Sequence, residues 1–273
     1  NSVLARFVKN SEIDSYTKPE NRLFVGESLT MVNIFKPTLC SRPCQNLLLV
    51  GENQLQAPKC CAFAAMSLIY ETIRLEGEIT RPIITVFNFE GREENSENNP
   101  LYRLFTALPE AFEVVDADNL INGLEVLQSI LEQGDRHFVI FYGLNRARRL
   151  MQSSTGYASM PRDLLVSLLQ NGPANGMNFI VWANDAQMYQ RDYNDTLTLF
   201  DYRLGFNMDA NSYQNLMGYS VRMNPNGQPA AEEDELNAVY FDINDENRKI
   251  RLYDAPTNRW FQDFVEKCKQ YIR

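Results

Sequence analysis

Residues 46–61 read NLLLVGENQLQAPKCC, and the helix-like CAFAAMSLIYETI starts within them, at Cys61. A strand that ends in glycine and feeds a helix is an arrangement that cradles phosphate, because backbone N–H groups and the helix N-terminus point at the anion. The full pattern is G-x-x-x-x-G-K-S/T. Its glycines let the backbone fold around the phosphates, its lysine reaches the outer ones and its hydroxyl holds Mg²⁺. Anchored at Gly51, the second glycine position falls on Gln56, the lysine position on Ala57 and the hydroxyl position on Pro58. Glu52, Asn53 and Gln54 supply no specialised chemistry between them. Pro58 has no N–H to donate, and it suits a first helical turn. Lys59 stands two positions late, before Cys60, and reaches a phosphate only if the loop carries an insertion. A hydrogen bond to a charged group contributes about 1.5–3 kcal/mol, so loss of the lysine alone costs roughly ten- to a hundredfold in affinity.

A second stretch tests the same chemistry. HFVIFYGLNRARRL, from residue 137, reads as a strand that ends at Tyr142, Gly143, Leu144 and Asn145. A working nucleotide hydrolase of this kind ends such a strand in carboxylates that hold Mg²⁺ through water and activate the attacking water. None stands here, and Arg146, Arg148 and Arg149 follow at once. These arginines read as a solvated basic turn, as a contact to DNA or a partner, or as charge supplied in trans to a neighbouring active site. Asn184 and Asp185 close a third apolar run, where polar residues cap a turn or touch a ligand. His137 reads as structural, and Trp182 and Trp260 as core or interface aromatics. The acidic stretches GREENSENNP and AAEEDE read as solvated loops, and no metal site is expected.

The elements that position these residues follow from periodicity. Residues 1–22 are polar and mixed, an arm or linker, and the segment around Phe24 and Met31 reads as a lead-in hairpin of two short strands. Strands are predicted at 46–51, 82–89, 112–117, 137–144, 177–185 and 199–208, with helices over 59–75, 101–108, 119–133, from Pro161, near Met188 and over 209–218. NAVYFDIN and KIRLYDA form a late hairpin across a DENR turn, and RWFQDFVEKCKQYI is an amphipathic closing helix. Asp209 or Asn211 caps the helix before it. Strands alternating with helices make a three-layer α/β fold on a mainly parallel sheet, and ligands of such sheets sit beyond the strands' carboxyl ends. The division is an N-terminal arm with lead-in strands, 1–45, and a main domain, 46–273, joined as one globular unit.

Bulk properties narrow the class. The chain has 273 residues, a net charge of −9 and 44% hydrophobic residues. That charge repels phosphate overall, so any nucleic-acid contact is local or supplied by neighbours. No apolar run approaches the roughly 18 residues of a membrane helix. The start NSVLARFVKN carries no signal peptide and reads like a piece cut from a longer polypeptide. The five cysteines, Cys40, Cys44, Cys60, Cys61 and Cys268, read as reduced thiols of a cytoplasmic protein, and the Cys40–Cys44 spacing lacks the second pair a zinc site needs.

With these loops located, the chain resembles the FtsK/SpoIIIE family of P-loop motor ATPases, close to HerA, over about residues 24 to 255. VGESLTMVNIFKP is similar to the family's lead-in strands, and LLVSLLQNGPANGMNFIVWANDAQMYQ to its helix, glycine turn and sensor strand. LFDYRLGFNMDANSYQNLMG is similar to a later motor strand and the Asp- and Ser-containing helix after it. The resemblance is sharpest to later ATPase-like domains of multi-domain members, which keep the fold while their motifs erode. It implies a RecA-like P-loop NTPase fold, hexamers or tandem arrays, and a link to DNA translocation or protein export. It also implies that Gly51 is the first loop glycine, that Tyr142 and Gly143 stand where acidic residues belong, and that Asn184 is the sensor position. Residues 51–54 and 56–60 then become vestigial nucleotide contacts.

Three readings follow. The first is a catalytically eroded domain with no cofactor, or at most weakly held ATP and Mg²⁺, whose partners are other domains or subunits of an FtsK/SpoIIIE-type assembly, with DNA reached through that assembly. The second is an active DNA translocase that uses Lys59 and an acidic residue from elsewhere. The third is substrate or peptide recognition in a pocket left where ATP would sit, which calls for an apolar cleft beside Gly51 and Asn184.

Overall fold

The apolar runs become strands because both faces of each are covered by helices. The computed structural model describes residues 3–10, 21–29, 37–52, 55–90, 98–152, 160–218 and 237–273. Among these, nine strands form one sheet: β1 (Gly26–Ser28), β2 (Leu47–Val50), β3 (Ile84–Asn88), β4 (Phe112–Asp116), β5 (His137–Tyr142), β6 (Met177–Ala183), β7 (Tyr202–Gly205), β8 (Asn237–Asp242) and β9 (Asp245–Leu252). Their order is β1-β9-β8-β7-β2-β6-β5-β3-β4. The run from β7 to β4 is parallel, and β8, β9 and β1 are antiparallel.

Alternate residues of the central strands β2, β3, β5 and β6 feed two cores. Leu47, Leu49, Ile140 and Trp182 face α1 (Val3–Asn10), α2 (Gln56–Glu76), α3 (Pro100–Ala107) and α8 (Asn258–Lys269). Leu48, Val50, Phe141 and Val181 face α4 (Leu120–Gln133), α5 (Pro161–Asn171), α6 (Ala186–Asp192) and α7 (Ala210–Met217). The expected three layers on a mainly parallel sheet are therefore present. No helix among the described residues is long and apolar enough to cross a membrane.

Several local expectations change. The N-terminal arm contains α1, whose Leu4 and Phe7 are buried in the α2-side core. The lead-in strand β1 does not pair within a hairpin; it adds to the sheet edge beside β9, Gly26 opposite Leu252. Met31 lies outside the described residues. Helix α2 starts at Gln56 rather than Lys59, since proline is tolerated in the first turn and Pro58 lies there. The late hairpin turns at Ile243 and Asn244, and Asp245 already pairs with Asp242, so the DENR segment opens β9. Asp242 accepts the Asn244 N–H at 2.9 Å, which closes the turn earlier. Strand β7 is shorter than expected because residues 194–199 wind into a short 3-10 helix. Of the two cap candidates for α7, Asp209 caps it, accepting the Ser212 N–H.

Candidate functional site

The parallel strands β2, β3, β5, β6 and β7 all end at one edge, and β6 lies between β2 and β5. This order brings Gly51, Glu90, Gly143, Asn184 and Phe206 to one side of the sheet, each just after its strand.

Gly51 is enclosed. Its N–H donates to the Ala183 carbonyl at 3.1 Å, and its carbonyl accepts the Trp182 indole N–H at 3.3 Å. Its φ is +144°, and a Cβ there would lie 1.7 Å from the Phe206 carbonyl oxygen. Packing against β7 demands glycine at this position. Glu52 is exposed, and Asn53 and Gln54 lie outside the described residues. The first turn of α2 faces inward: Gln56, Ala57 and Pro58 are buried. Cys60 is buried, and burial pushes its thiol up to about 12, so it stays protonated. The Lys59 ammonium contacts Asp254 Oδ1 at 2.6 Å in the link between β9 and α8. That hydrogen bond holds the Asp254 carboxyl below the usual range.

The end of β5 is aromatic. The Tyr142 and Trp182 rings lie 4.8 Å apart, both buried on the α2 face, and the Tyr142 hydroxyl accepts from Asn99 Nδ2 at 3.2 Å. Gly143 follows with φ +90°. A Cβ at Gly143 would lie 2.6 Å from Glu90 Oε1, so a buried carboxylate leans over the strand end that lacks its own. Glu90 follows β3, the strand beside β5. Its Oε2 lies 2.7 Å from Arg146 Nη1. Sequence reasoning missed Glu90. Its signal was its place one residue past a predicted strand, but the adjacency of β3 and β5 is not visible along the chain.

The arginines divide. Arg146 pairs with Glu90, Arg149 donates to the Asp118 carbonyl at 2.7 Å and pairs with its carboxylate at 3.1 Å, and Arg148 is exposed. Asn184 is half-buried. Its N–H donates to Asn145 Oδ1 at 3.2 Å, and its own Oδ1 is buried without a hydrogen-bond partner among the described residues. His137 sits at the opposite end of β5, with Nε2 2.8 Å from Thr85 Oγ1. Burial drives its pKa down to about 4, so it is neutral at pH 7. Trp260 packs on Phe63 at the α2–α8 contact.

Between the ends of β2, β6 and β7 lies a cleft of about 290 Å³ lined by Gly51, Glu52, Asp185, Gln187, Asn207 and Asp209 among others. It carries three carboxylates and no cationic side chain, which disfavours a phosphate there. Asp185 caps α6 through the Met188 N–H at 2.9 Å, and Asp209 caps α7 through Ser212. The Ser212 hydroxyl and N–H hold the Asp209 carboxyl below the usual range. The cleft is polar, contrary to what peptide recognition beside Gly51 calls for.

A sheet of this order, with these loops at its carboxyl edge, is a RecA-like P-loop ATPase fold. Among the solved structures that share it are the following three. The cytoplasmic domain of the type VII secretion ATPase EccC from Thermomonospora curvata matches with TM-score 0.63 and 10% identity, over 94% of this chain and 32% of that one. The monomer form of the pCW3 conjugation coupling protein TcpA with ATPγS matches with TM-score 0.65 and 13% identity, over 96% and 72%. EssC ATPases 2 and 3 from Geobacillus thermodenitrificans match with TM-score 0.64 and 11% identity, over 94% and 50%. At these identities the likeness is one of fold. The chain spans about a third of that EccC chain and half of that EssC chain. No protein-family model and no curated protein matches the sequence.

Proposed function

We propose that this chain is an ATPase-like domain that does not hydrolyse ATP itself and acts as a structural, regulatory or partner-binding module of a larger DNA-translocating or protein-exporting motor in the cytoplasm. The observation that carries this reading is the packing at the carboxyl edge of the sheet. Gly51 is closed against Phe206 and bonded to Trp182, Tyr142 and Trp182 fill the α2 face at the strand ends, and Lys59 is held by Asp254. A phosphate needs free N–H donors and a cation at that place. The neighbours described as a type VII secretion ATPase and a conjugation coupling protein support the motor setting.

Isothermal titration with ATP and Mg²⁺ tests the reading. The expected dissociation constant is weaker than about 1 mM. A micromolar constant abolished by Lys59→Ala overturns it. A second reading, an active translocase domain, is favoured by one feature, the Glu90 carboxylate over Gly143. In that reading Glu90 must leave Arg146 to act on a water. Phosphate release by the purified chain, stimulated by duplex DNA and lost in Glu90→Gln, supports the second reading. Flat release under both conditions removes it for this chain.

A further inference from the structure

The sheet ends at β4, which pairs with β3 in an unbroken parallel register from Ile84 opposite Phe112 to Asn88 opposite Asp116. No other strand among the described residues pairs with the outer edge of β4. Natural edge strands are guarded by prolines, bulges, lysines or covering elements, because their free N–H and C=O groups template another strand. β4 contains no proline and no bulge. It exposes Glu113, Val114 and Asp116, with Val114 47% accessible.

The charge along this edge has one sign. Glu110, Glu113, Asp116 and Asp118 fall within nine residues, and the cation paired there is Arg149, on Asp118. Glu110 and Glu113 carry no ion pair among the described residues. Pairing with β4 of a second copy would set carboxylates against carboxylates, which is destabilising for directly opposed side chains. The same charges favour an incoming strand of opposite sign. Successive side chains of a strand point to opposite faces, so Glu113 presents an acid on one face, while Val114 and Asp116 present an aliphatic and an acid on the other. A strand that alternates basic and aliphatic residues complements both.

We infer that the free edge of β4 is a docking strand for an extended basic segment of a partner protein, held by main-chain hydrogen bonds and selected by Glu110 and Glu113. This does not depend on whether the chain binds nucleotide.

The test uses the purified chain and a fluorescent eight-residue peptide alternating lysine and valine, with an alternating glutamate–valine peptide as control. The lysine peptide is expected to bind at least about tenfold more tightly by fluorescence anisotropy and to slow amide exchange at residues 112–116. Glu110→Lys with Glu113→Lys is expected to cut that binding at least about tenfold while leaving the melting temperature of the chain unchanged. Both carboxylates are exposed, so the variant folds. Equal binding of the two peptides, unchanged binding in the charge-reversed variant, or exchange protection elsewhere would overturn the proposal. So would a peptide-free dimer by light scattering whose interface protects residues 112–116.

Discussion

Replacing Gly51 with alanine separates a glycine kept for packing from one kept for phosphate. In Gly51→Ala the new Cβ lies 1.7 Å from the Phe206 carbonyl oxygen, and real Cβ contacts essentially never fall below 3.0 Å. The obstacle is backbone, so no rotamer change relieves it. Either the loop or the end of β7 must move by more than an ångström. That movement strains the Gly51-to-Ala183 bond at 3.1 Å and the Phe206-to-Val50 bond at 3.0 Å. Losing one of them costs about 1 kcal/mol. Holding alanine in a sparsely populated backbone region costs about 1–3 kcal/mol more. The total is about 3 kcal/mol, which lowers the melting temperature of a domain this size by roughly 6–12 °C. Differential scanning calorimetry measures the shift, and titration with ATP and Mg²⁺ runs beside it. A fall of under about 3 °C together with a lost nucleotide affinity would refute the packing argument.

Two further outcomes follow from buried titratable groups. His137, the only histidine of the chain, has its folded pKa lowered from 6.5 to about 4 by burial. Above pH 6.5 both folded and unfolded forms are neutral and the shift adds nothing. As pH falls from 6.5 to 4 the unfolded chain takes up the proton first, so stability drops by up to about 3 kcal/mol. Urea melts between pH 7 and 4 should show this fall, and His137→Gln should remove that share of it; an unchanged slope would sink the assignment. Gly143→Ala should destabilise the chain by about 2 kcal/mol, from positive-φ strain and from displacing Glu90 off Arg146. In a Glu90→Ala background the same change should cost only about 1 kcal/mol. Equal costs in the two backgrounds would show that Glu90 does not lean over Gly143.

Much of the framework was legible along the chain. Runs such as Leu47–Val50 and Phe138–Phe141 are apolar throughout, and a run buried on both faces looks the same wherever its strand lies in the sheet. Helix α4 showed itself in the Leu120, Leu124, Leu127 and Leu131 stripe, of which the first three are buried and Leu131 packs half-buried against the same core. The lead-in strand was placed but its partner was not, because β9 lies more than two hundred residues on. Helix α1 was missed, since its Leu4 and Phe7 form an apolar stripe too short to stand out in a polar arm. The turn of the late hairpin was set two residues late, because Asp242 closes it through its own side chain.

The sequence by itself determined which side chains the loops contain: alanine at 57, proline at 58, tyrosine and glycine at 142 and 143. Composition of a loop is local information and needs no fold. Only the tertiary structure decided what stands beside them. Strand order set Glu90 over Gly143 and β6 between β2 and β5, and it brought Asp254 to Lys59 across 195 residues. Periodicity reports the face a residue shows to the core. It carries no information on which strand becomes the neighbour, because that depends on crossovers and packing between segments far apart in the chain.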